Sequence, residues 1–96
     1  MNLDQLNKVI LSRISSSSAQ SYTAELIASG LDRIVQKVGE EGVEVVIAAK
    51  NEDEAAFVGE IADLYYHSLV LLAKKEVSLQ KIWNELERRN AKETDE

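Results

Sequence analysis

Leu3, Leu6, Ile10 and Ile14 recur every three or four residues at the start of the chain, the spacing of one apolar face on an α-helix, and the serine run over 15–18 ends that pattern. A loop over 15–20 is expected next, then a short helix over 21–29 with Tyr22, Leu26 and Ile27 as its apolar residues and Gly30 as its C-terminal stop. A longer helix starts at Leu31. Projected at about 100° per residue, Leu31, Ile34, Val35, Val38, Val45 and Ala49 share one side of it, with Gly42 inside the stripe. A glycine inside a helix costs about 1 kcal/mol relative to alanine, so Gly42 reflects either close helix packing or simple tolerance. After a break over 51–53, the segment 54–75 carries Phe57, Ile61, Leu64, Tyr65, Leu69, Leu71 and Leu72 around most of its circumference, which predicts the central, most buried helix. Leu79, Ile82, Trp83 and Leu86 predict a last helix behind Ser78 as N-cap, and the charged residues 92–96 predict a frayed tail.

The chain has no proline and only four glycines, so the punctuation of a β-rich fold is missing. The expectation is an all-α bundle of four to five helices, one domain over 1–91 followed by the tail. At 96 residues a lone core is only marginally sufficient, which makes completion by a second subunit plausible. With no cysteine, neither disulfides nor thiolate zinc can add stability, and only carboxylates and His67 remain as metal ligands. The apolar runs read as too short to span a bilayer and the N-terminus lacks the features of a signal peptide, so no membrane is expected and the cytoplasm is the default location. A net charge of -6 opposes binding to a nucleic acid polymer.

The chemistry lies in the acids. Glu41 and Glu44 fall at the edge of the apolar stripe of the 31–50 helix, beside Lys37, whereas Glu40 is turned further towards solvent. In the next helix Glu60, Asp63 and His67 form one narrow polar strip that Lys74 extends. Antiparallel pairing across the short 51–53 turn brings Glu41 and Glu44 opposite Glu60 and Asp63. Like charges gathered at a half-buried surface must keep protons or be neutralised by a cation, and oxygen ligands suit Mg²⁺ or Mn²⁺. The competing reading is a set of solvated acidic faces, since glutamate is a common helix former.

Glu40-Glu41-x-x-Glu44 followed by Glu60-x-x-Asp63 is similar to the EExxE…ExxD signature of the all-α nucleoside triphosphate pyrophosphatase superfamily. Within it, the runs 37–41, 45–50 and 62–67, together with Ser21-Tyr22-Thr23, resemble the phosphoribosyl-ATP pyrophosphatase family over about residues 3–87. Gly42 departs from the small helix former expected there. The resemblance implies Mg²⁺-dependent hydrolysis of phosphoribosyl-ATP to phosphoribosyl-AMP and pyrophosphate, the second step of histidine biosynthesis, by a homodimer. It implies Glu41, Glu44, Glu60 and Asp63 as the principal Mg²⁺ ligands, and Glu40 as a further ligand or the base that orients the attacking water. The substrate is then a small-molecule nucleotide.

Lys37, one turn before Glu41, is a candidate for a substrate phosphate or for pairing with a neighbouring glutamate, and Lys50 and Lys74 are weaker phosphate candidates. His67 reads as a hydrogen-bonded structural residue before a partner of the site or a proton carrier, and Trp83 as a packing residue before an adenine platform. Two other functions fit the same helices. One is a pyrophosphatase of the same superfamily that clears noncanonical or excess triphosphates; the other is a non-catalytic helical module whose acidic strip binds a basic partner.

Overall fold

Three of the helices start where a side chain caps them. In the computed structural model, which describes residues 1–16 and 21–95, α1 (Leu3–Ser15) opens with a capping box: the Asn2 side chain accepts from the Gln5 N–H at 2.8 Å while Gln5 Oε1 accepts from the Asn2 N–H at 2.7 Å. α2 (Tyr22–Ser29) is capped by Ser21, whose hydroxyl accepts from the Ala24 N–H, and α4 (Glu54–Lys74) by Asp53, which accepts from Ala56. Gly30 both ends α2 and precedes α3 (Leu31–Ala49); its φ of 102° is a conformation that side chains rarely tolerate, so one residue turns the chain between two helices. α5 (Leu79–Asp95) completes an all-α order with no strand among the described residues.

These elements match the periodicity closely. Ser15 closes α1, and most of the expected 15–20 loop lies outside the described residues. α4 ends without a glycine: Glu76 takes the left-handed conformation at φ 56° while the Val77 N–H bonds to the Leu72 carbonyl, the wrap that usually recruits glycine. α5 runs through residues 92–95 of the segment set apart as a charged tail. Ala91, Lys92 and Glu93 are good helix formers and no glycine or proline interrupts them.

Ile10, Leu26, Ile34, Leu69, Val70 and Leu79 form the buried core, so all five helices meet at one end of the molecule. Trp83 packs on its edge, and its Nε1–H donates to Asp4 Oδ1 at 2.8 Å, tethering the start of α5 to the first turn of α1. Along the rest of α5, Glu85 is bridged by Arg88 and Arg89, which hold its carboxyl down at about 2.

The expectation that α4 is the central, most buried helix is only half met. His67, Leu69 and Val70, in its C-terminal half, are buried, but Val58 and Tyr65 are exposed. α4, at 21 residues and a hydropathy of 1.2, is also long and apolar enough to cross a bilayer, contrary to the sequence reading. Glu60 and Asp63 stand in its middle, where charges are costly in lipid, and its polar strip faces α3.

Candidate functional site

The buried residues of α3 are Ile34, Glu41 and Ala48, each seven positions from the next, so one line along the helix forms the seam with α4. Glu41 therefore sits in the middle of that seam, 7 % exposed, and not at the edge of the stripe drawn through the apolar residues. Leu31, Val35 and Ala49, which belong to that stripe by pattern, are exposed. Gly42 has open space around the place of a missing Cβ, so close packing within this chain does not account for it.

Across the seam, α4 presents Glu60 and Asp63. One carboxylate oxygen from each of Glu41, Glu60 and Asp63 lies within 4.8 Å of the other two. Oxygens around one hard cation at about 2.1 Å are separated by up to about 4 Å, so a small inward movement suits this trio to such an ion. Glu44 stands beside Glu60 from α3, close enough to raise its carboxyl. Glu60 Oε2 is buried with no hydrogen-bond partner, an acceptor left over by the protein itself. The donor set is all oxygen, as a hard divalent ion requires, and the site could hold a metal ion.

The electrostatics record the crowding. The neighbouring Glu44 carboxyl, then burial, then the charges of Glu44, Asp63 and Glu41 push the Glu60 carboxyl up to about 7. Burial and the Asp63 charge raise Glu41, while His67 pulls it down. A folded-state value near 7 against an ordinary 4.5 means that native Glu60 binds more protons than the unfolded chain between those pH values. Its contribution is present below about 4.5 and lost as pH rises through about 7. The melting temperature of metal-free protein should accordingly fall across that window. The depressed Glu85 acts elsewhere, its contribution fading as pH drops from 4.5 towards about 2. A thermal melt series that rises steadily from pH 4.5 to 7 would contradict the assignment.

The remaining candidates separate. Glu40 is exposed on the outer side of α3, in a depression shared with Gln36, Gly39, Val43, Glu44 and Ile47. Lys37 is half-buried one turn before Glu41 and makes no ion pair with a neighbouring glutamate among the described residues. Lys50 is exposed at the end of α3. Lys74 points the other way: its Nζ donates to the Ile27 carbonyl at 3.2 Å, closing the C-terminus of α2. Eleven residues separate it from Asp63, about 16 Å along the helix. His67, read first as structural, touches the cluster directly, with Nδ1 3.2 Å from Glu41 Oε1. Its place four residues after Asp63 on the same strip was the available signal.

Fold and site together define an all-α domain that gathers carboxylates from two antiparallel helices into a cluster able to hold a hard cation. Residues 3–90 match the family model described as phosphoribosyl-ATP pyrophosphohydrolase. A phosphoribosyl-ATP pyrophosphatase of Trichlorobacter lovleyi is 51% identical over 87 residues, 91% of this chain and 81% of that one. One from Clostridium botulinum is 48% identical over 90 residues (94% and 82%), and one from Saccharolobus solfataricus 46% over 87 (91% and 93%). The chain belongs to the phosphoribosyl-ATP pyrophosphohydrolase family.

Proposed function

We propose that this protein hydrolyses phosphoribosyl-ATP to phosphoribosyl-AMP and pyrophosphate in histidine biosynthesis, using Mg²⁺, for which Mn²⁺ can substitute. The observation that carries the reading is the meeting of Glu41, Glu60 and Asp63 at the α3–α4 seam, with an unpartnered Glu60 oxygen among them, in a chain of this family. Glu41, Glu44, Glu60 and Asp63 are the residues that would hold the ion. Such an ion, when bound, neutralises the phosphates, aligns them and lowers the pKa of the attacking water.

The chain's own residues do the rest. Water breaks the bond between the α- and β-phosphates, so no protein nucleophile is needed, and Glu40, next to Glu41 in sequence and exposed on the outer side of α3, is assigned as a further ligand or as the base that orients this water. Lys37 lies on the same face of α3 as Glu41 and is the lysine best placed for a phosphate; Lys50, exposed in the adjoining turn, is second. Lys74 is the weakest of the three, being engaged with Ile27.

The same reading includes a homodimer in the cytoplasm. Val43, Val46, Ile47 and Val58 are 59%, 60%, 64% and 59% exposed on the α3–α4 hairpin that carries the acids, an apolar surface that a second copy would cover. Light scattering should give twice the chain mass; a monomer at working concentration contradicts the dimer.

Pyrophosphate release from phosphoribosyl-ATP is the test of the activity, with ATP as control, in Mg²⁺ and again in excess chelator. Metal-dependent release from phosphoribosyl-ATP alone is expected. Release from ATP at a similar rate would point to a less selective triphosphate pyrophosphatase, and no release from either would end the enzymatic reading.

A further inference from the structure

Beneath the acidic cluster runs a chain of polar contacts that the hydrolysis itself does not use. His67 is 6% exposed, with every ring nitrogen occupied. Nδ1 lies 3.2 Å from Glu41 Oε1 and 3.0 Å from the backbone carbonyl of Asp63, one turn back on α4. Nε2 lies 3.1 Å from the Tyr22 hydroxyl at the start of α2. The ring is flanked edge-on by Tyr66 at 5.1 Å and Tyr22 at 6.0 Å. Tyr66 in turn is hydrogen-bonded to Thr23, which is fully buried. Two neighbouring residues at the start of α2 thus grip two neighbouring residues of α4.

The chemistry of the partners settles the protons. A backbone carbonyl can only accept, so the hydrogen on the Asp63 side belongs to Nδ1, and the same N–H is shared with the Glu41 carboxylate. In the neutral ring Nε2 is then bare, and it accepts from the Tyr22 hydroxyl. A hydrogen bond on one ring nitrogen selects the tautomer that serves the other.

We propose that His67 is a positioning residue for Glu41: its Nδ1–H fixes the orientation of the buried carboxylate, and the Tyr22 hydroxyl holds the ring in the tautomer that allows this. The inference rests on the reading of Glu41 as a cation ligand. It gives the Ser21-Tyr22-Thr23 segment a task, since Tyr22 links α2 to the cluster through the imidazole.

The chain has a single histidine, so the ring nitrogens of ¹⁵N-labelled, metal-free protein report this tautomer without ambiguity. At about pH 9, well above the ordinary histidine value of about 6.5, hydrogen on Nδ1 and a bare Nε2 are expected. Hydrogen on Nε2 overturns the proposal. The second arm measures Mn²⁺ binding alone, by calorimetry, in the unaltered protein, His67→Ala, His67→Asn and Tyr22→Phe. The amide nitrogen of asparagine stands as many bonds from Cα as Nδ1 does and can donate to Glu41. Loss of an outer partner of a ligand weakens metal binding by about 10–100-fold; that loss is expected in His67→Ala, with most of it recovered in His67→Asn and a smaller loss in Tyr22→Phe. Equal losses in the alanine and asparagine variants would mark a merely structural histidine. Undiminished binding in His67→Ala removes the positioning role while leaving the cluster intact, whereas an unaltered protein that binds no Mn²⁺ removes the cluster reading and this inference with it.

Discussion

Glu41→Gln should lower turnover of phosphoribosyl-ATP by more than about 100-fold, the upper end of what losing only an outer partner of a metal ligand costs. Glu41 is the most buried acid of the cluster and stands between Asp63 and His67. An amide keeps the shape and still offers an oxygen to the His67 Nδ1–H, but it removes one of the negative charges that a divalent ion requires. The melting temperature of the metal-free variant should stay level or rise. Burial and the Asp63 charge both oppose an ionised Glu41, so a neutral side chain relieves the native state. Steady-state release of pyrophosphate and thermal melts of the same preparation decide the matter. Normal turnover would remove Glu41 from the ligand set, and lost turnover with a collapsed melt would mean that the fold had been damaged instead.

Ile34→Ala is expected to act in the opposite sense, on stability before chemistry. Ile34 is fully buried in the core, two helical turns before Glu41 on the same seam. Truncating a buried isoleucine to alanine costs about 2–5 kcal/mol through lost transfer energy and a residual cavity. A domain of this size has only about 5–14 kcal/mol in all, so the loss is a large share. The melting temperature should drop by about 10 °C or more, since each kcal/mol shifts it by about 4–8 °C in small domains. Protomer concentration must be held fixed, because association adds to apparent stability. A melt unchanged within a degree or two would mean that the α3 seam does not carry the core packing described.

Much of this architecture could be read from residue order because helices announce themselves locally. The three- and four-residue recurrence of Leu3, Leu6, Ile10 and Ile14, and the cap at Ser21, depend on nothing beyond a single helix. The acids were legible for the same reason, since the spacing of Glu41, Glu44, Glu60 and Asp63 places each pair on one face. Facts that depend on a neighbour were less accessible. An apolar stripe counts only apolar residues, so it put Glu41 at an edge, whereas the packing of α4 sets the seam through Ile34, Glu41 and Ala48. Lys74 looked like an extension of the acidic strip until α2 supplied a carbonyl for it. The role of His67 needed three partners from two other helices and its own, which no periodicity encodes.

The tether between Trp83 and Asp4 joins residues 79 positions apart. As the polypeptide leaves the ribosome, α1 appears long before the residue that pins it. Until then Leu3, Leu69 and Leu72 form one wall of an apolar groove whose other wall, Leu79, Ile82, Trp83 and Leu86, has not yet been made. Closure of such distant contacts is the slow part of folding, and apolar surface left open meanwhile invites association with other nascent chains. Burial of that groove therefore waits on the synthesis of α5.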